Sequence, residues 1–107
     1  MPVSINEKTA INTLKGILSR EFSLIDFRMY GSKAKGTDSE DSDLDLMIVL
    51  EKVSPEIESQ IDDLIFKLNI KYDCLITPLY FSKDELEIGP LSESPIYKHI
   101  RQQGIIL

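Results

Sequence analysis

Cysteine, histidine and tryptophan are nearly missing from this sequence: Cys74 and His99 stand alone, and there is no tryptophan. One thiol cannot close an intramolecular disulfide, so a reducing cytoplasm is the expected setting. One thiol with one imidazole cannot build a Cys/His zinc cluster either. Long apolar runs are also missing. The longest, Leu46 to Leu50, falls far short of the roughly 20 residues that cross a bilayer, and the polar opening MPVSINEKTAIN lacks the apolar centre of a secretion signal. Positive charge is in deficit, with 12 Lys and Arg against 18 Asp and Glu and a formal charge of -6. That balance argues against a sequence-independent grip on DNA or RNA, because phosphates are neutralised by basic patches.

The 107 residues are 42% apolar and 28% charged, the size and balance of one compact domain over 1–107. Such a chain can bury a core but is too short for a catalytic domain plus a full substrate-binding domain. Its acidity is uneven. The stretch DSEDSDLD over 38–45 holds five of the 18 acids, leaving 13 acids against 12 bases elsewhere.

Hydrophobic periodicity divides the chain into alternating helices and strands. Ser4 and Glu7 have capping-box spacing, and Ile11, Leu14 and Leu18 recur at helical intervals, which predicts a helix over 5–20. Ile25, Phe27 and Met29 alternate with polar residues as a strand that ends at Gly31. Residues 31–36 form a turn and the start of a short helix, and the apolar run 44–50 reads as a strand covered on both faces. Ser54-Pro55 opens a helix to about residue 69, marked by Ile57, Ile61, Leu64, Ile65 and Leu68. A third strand is expected over Lys71 to Ile76, closed by Thr77-Pro78, with an extension over Leu79 to Phe81 left open. Ser82 with Glu85, and then Ser94-Pro95, start two more helices, the last stopped by Gly104 and followed by an apolar tail. The order αβαβαβαα predicts an α/β layer fold around a small sheet.

The chemistry concentrates in GSKAKGTDSEDSDLDL over 31–46. Side chains two apart on a strand face the same way, so Asp43 and Asp45 share one face about 7 Å apart along the chain. Their mutual repulsion is relieved by a proton or a cation, and Asp45 amid Leu44, Leu46 and Met47 favours the cation. Hard oxygen ligands suit Mg²⁺. Gly31 and Ser32 supply the other half, because a glycine turn into a helix presents N–H groups to phosphate oxygens. A triphosphate held between these halves would have its α-phosphorus open to an attacking hydroxyl.

Gly31-Ser32, ten residues, then Asp43-Leu44-Asp45-Leu46 resembles the signature of the DNA polymerase β-like nucleotidyltransferase superfamily. The segment is similar above all to the minimal nucleotidyltransferases, with a Gly-Ser-x-Ala-x-Gly segment and then Ser-Asp-x-Asp-Leu. Gly31, Ser32, Ala34, Gly36, Ser42, Asp43, Asp45 and Leu46 fall on that pattern, within a resemblance covering 25–73. The resemblance implies a mixed palm-type sheet, two Mg²⁺ ions and an NTP substrate such as ATP. It also implies a third metal ligand on a later strand, for which Asp73 is the matching position. Stand-alone members pair with a small helical HEPN-type protein, as the antitoxin of a toxin–antitoxin module that adenylylates its partner. A non-catalytic antitoxin of the same fold and an enzyme modifying a small molecule such as an aminoglycoside are the rival readings.

Three other readings compete for this segment, the first a solvated acidic loop over 38–45, which the Gly-Ser turn at family spacing disfavours. A calcium loop beginning at Asp41 would need glycine at Leu46 and glutamate at Lys52, and a P-loop from Gly31 would need lysine at Thr37, so both fail. Lys33 and Lys35 read as solvated lysines beside an acidic loop rather than phosphate ligands. Cys74 reads as a small packing residue, His99 as a surface residue and Tyr30 as part of the core.

Overall fold

The computed structural model describes residues 3–36 and 43–107. Ser4 starts helix α1 (Ile5–Glu21) through the expected capping box: its hydroxyl accepts from the Glu7 N–H, and the Glu7 carboxylate accepts from the Ser4 N–H. Both bonds satisfy donors that a helix start otherwise leaves open. The alternating segment is β1 (Leu24–Tyr30), after which Gly31 turns the chain into the single-turn helix α2 (Ser32–Lys35). The apolar run is β2 (Leu44–Leu50), with the bounds its sequence predicts. Helix α3 (Pro55–Tyr72) begins at Ser54, whose hydroxyl accepts from the Ile57 N–H at 3.1 Å. Then follow β3 (Ile76–Ser82), α4 (Lys83–Glu87), a 3-10 turn over Pro90–Glu93, α5 (Pro95–Gln103) and β4 (Ile105–Ile106).

The strands form one mixed sheet in the order β3-β2-β1-β4, with β2 parallel to β3 and antiparallel to β1. Alternation along β2 sorts its side chains into two layers. Leu44, Leu46, Ile48 and Leu50 join Leu14 and Leu18 of α1 and Ile61 and Ile65 of α3. Met47 and Val49 point the other way, against Phe81, Ile100, Leu86 and Tyr97. The strand is therefore covered on both sides, and each fully buried leucine contributes about 2 kcal/mol through the apolar surface it removes from water. This is the α/β arrangement that the alternating periodicities predict, and it has the helix-flanked mixed sheet of a polymerase-β-like palm.

The third strand departs from expectation. Lys71 and Tyr72 continue α3, and Asp73 caps that helix in the left-handed region, with φ 50° and ψ 55° and its N–H donating to the Asn69 carbonyl. The strand begins only at Ile76 and runs through Pro78, which sequence reasoning takes for a breaker. An edge strand tolerates proline because its outer side has no ladder to complete. The Asn69 side chain secures the junction: its Oδ1 accepts from the Ile76 N–H at 2.8 Å, and its Nδ2 donates to the Ile76 carbonyl at 3.4 Å. The apolar tail, expected only as a tail, forms β4 beside Arg28 and Met29 of β1.

Candidate active site

Asp45 has the same parity in β2 as Met47 and Val49, so its carboxylate lies on the α4/α5 side of the sheet, at the end where β2 begins. Asp43 stands two residues earlier and keeps that parity. The register places Tyr30 of β1 and Thr77 of β3 on either side of Asp45. The Thr77 hydroxyl donates to Asp43 Oδ2 at 3.2 Å. The two aspartates are close enough to feel each other: burial pushes the Asp45 carboxyl above the usual carboxylate range, and the charge of Asp43 adds to the rise. The Tyr30 phenol is likewise pushed up by burial and then by Asp45.

Gly31 closes the site from the β1 side. Its φ of 77° lies where side chains are strained, and a Cβ built on it would overlap Asp45 Oδ2. The carboxylate thus lies against the bare backbone of the Gly-Ser turn, in a cradle that any other residue would fill. Two carboxylates, one of them destabilised as a charge, with hydroxyl and backbone groups around them, form a hard-oxygen donor set that fits a divalent cation.

Sequence reasoning places Asp43, Asp45, Gly31 and Ser32 in one region, and the fold brings them to one end of the sheet. Asp73 does not join them. It sits on the turn three residues before β3 begins, and among the described residues no cluster of three or more His, Cys, Asp or Glu side chains is arranged to hold a metal. The position opposite Asp45 belongs to Thr77, which the sequence hides behind the following proline. Its alternation with Leu79 and Phe81 is the signal that could have revealed it. Ser42 and the acids at 38, 40 and 41 lie outside the described residues.

Lys33 is a further correction. Expected as a solvated lysine, it is 3% exposed, with its Nζ 3.3 Å from Glu7 Oε2. The α1 capping acid therefore also meets α2, a contact between residues 26 apart in sequence that local patterning cannot show. Lys35 and His99 are exposed, and Cys74 is partly buried, with its Sγ 3.5 Å from Asn69 Oδ1.

A family model described as a nucleotidyltransferase domain matches residues 11–97. The chain belongs to that family. The match runs from α1 into α5 and includes Gly31, Ser32, Asp43, Asp45 and Thr77. Membership gives the coarse chemistry: transfer of a nucleotidyl group from a nucleoside triphosphate, with divalent metal, by a transferase of the EC 2.7.7 type. No curated protein matches the chain. Among the described residues no helix is long and apolar enough to cross a membrane.

Proposed function

We propose that this nucleotidyltransferase uses Mg²⁺, held by Asp43 and Asp45, to transfer AMP from ATP to a hydroxyl group of a partner protein. The observation that carries this reading is Asp45 in β2, lying against the side-chain-free backbone of Gly31, with Asp43 two residues earlier and bonded to the Thr77 hydroxyl. The bound ion would neutralise charge on the triphosphate and on the departing pyrophosphate. Gly31 and Ser32 offer N–H and hydroxyl donors to the phosphate oxygens, and the cation that the two aspartates would hold attracts the same oxygens. Asp73, at the cap of α3, is left out of the ligand set.

The formal charge of -6 favours a protein acceptor over a nucleic acid. The family resemblance of the Gly-Ser and Asp-x-Asp segments further supports a HEPN-type helical protein as that acceptor, in a cytoplasmic toxin–antitoxin pair. The test is incubation of the protein with each labelled NTP and Mg²⁺, with and without the HEPN-type partner. Label from ATP is expected on the partner, and Asp43→Asn or Asp45→Asn should lower its rate at least about 100-fold, since metal stabilisation is worth several kcal/mol. Label confined to RNA or a small molecule would refute the acceptor. Neutralisation of the partner with no label would instead identify a binding antitoxin.

A further inference from the structure

Asp43 precedes the first residue of β2, where a carboxylate has no strand neighbour of its own to hold it. The described hydrogen bond that fixes it comes from Thr77, at 3.2 Å. Thr77 is itself firmly placed. Asn69 holds the N–H and carbonyl of Ile76, and the Leu44 N–H donates to the Leu75 carbonyl at 2.8 Å, so the starts of β2 and β3 are joined beside the site. Across one strand spacing, about 4.8 Å, Thr77 faces the same side of the sheet as its register partner Asp45. A carboxylate at position 77 would complete a triad with Asp43 and Asp45. The chain has a neutral hydroxyl there, which donates a bond to Asp43 where a third acid would add repulsion.

We propose that Thr77 is the positioning residue for the metal site: its hydroxyl orients Asp43, and its neutrality limits the nucleotide-free protein to one bound divalent ion. The inference rests on the reading of Asp43 and Asp45 as metal ligands. With Oδ2 of Asp43 accepting from Thr77, Oδ1 of Asp43 and the Asp45 carboxylate remain for the ion, whose shell water would complete, phosphate oxygens replacing some of it when the nucleotide binds. A second ion has to bring oxygen ligands with it, from the nucleotide or from the acceptor.

The test is titration of the nucleotide-free protein with Mn²⁺, following free ion by electron paramagnetic resonance, for the parent and for Thr77→Val, Thr77→Ser, Thr77→Asp and Asp45→Asn. One ion per chain is expected for the parent. Thr77→Val should bind it about tenfold more weakly, the usual scale for losing a group that orients a ligand, and Thr77→Ser should bind like the parent. Thr77→Asp should bind more tightly or take a second ion. In activity assays Thr77→Val should raise the Mg²⁺ concentration for half-maximal rate and leave KM for the nucleotide unchanged at saturating Mg²⁺. Thr77 is exposed and valine suits a strand, so the fold is expected to persist. Parent-like Mn²⁺ affinity in Thr77→Val overturns the positioning role, and two tight ions in the parent overturn the stoichiometry. If Asp45→Asn also binds Mn²⁺ like the parent, the underlying assignment of the metal site fails. Loss in Asp45→Asn alone leaves that assignment standing and sinks only the role of Thr77.

Discussion

At the scale of single residues, the site depends on an absence. Gly31 has no Cβ, and the space a Cβ would fill is taken by Asp45 Oδ2. Gly31→Ala therefore combines strain at a φ of 77° with displacement of the carboxylate. We expect a stability loss of about 1–2 kcal/mol by thermal melting, and a fall in transferase rate of about tenfold or more that added Mg²⁺ does not restore. A variant that melts lower but keeps its rate would show that Asp45 has another productive position. The same glycine was legible in the sequence as a turn that offers N–H groups to phosphate, not as a neighbour of Asp45. That the turn presses on a carboxylate 14 residues later follows from the β1–β2 register, which pairs Tyr30 with Asp45.

At the scale of elements, the junction of α3 and β3 separates what sequence reasoning could reach from what it could not. The bounds of β2 were legible because Leu44 to Leu50 is bracketed by polar residues and nearly every side chain is buried. The start of α3 was legible because a capping serine and a proline coincide. Its end was not, because Asp73 takes a conformation usually left to glycine, and nothing in Lys71-Tyr72 marks whether a helix continues. The shift matters for function. A strand beginning at Lys71 would put Asp73 in the sheet, whereas the observed strand puts Thr77 beside Asp45. If Asp73 is a cap and not a ligand, Asp73→Gly should keep transferase activity and raise the melting temperature by roughly 2–4 °C, since glycine relieves about 0.5 kcal/mol of left-handed strain. Loss of activity in a well-folded Asp73→Gly protein would return Asp73 to the metal site.

At the scale of the whole molecule, the first helix and the site turn are connected through charge. Glu7 caps α1 and also pairs with Lys33, whose side chain is 3% exposed. Removing the Glu7 carboxylate takes from α1 its capping acceptor and from Lys33 one carboxylate partner. Glu7→Ala is accordingly expected to cost about 2 kcal/mol, a drop in melting temperature of roughly 8 °C or more. Glu7→Gln keeps the cap acceptor, so a smaller loss in that variant would apportion the effect between cap and ion pair. Parent-like melting of Glu7→Ala would show that the pair adds nothing. Local patterning revealed the cap, because it spans three residues. The ion pair was invisible to it, because it joins two helices with a strand between them.

The alternation of β2 also constrains which changes of length the protein can accept. Core leucines and site aspartates occupy opposite parities of one strand, so deleting or inserting a single residue within it would turn Asp45 towards α1 and α3 and send leucines to the reactive side. No substitution elsewhere could compensate, because the folding pattern and the chemistry would both be inverted together. Point substitutions can adjust this site gradually, but a one-codon indel inside the strand removes fold and activity in a single step.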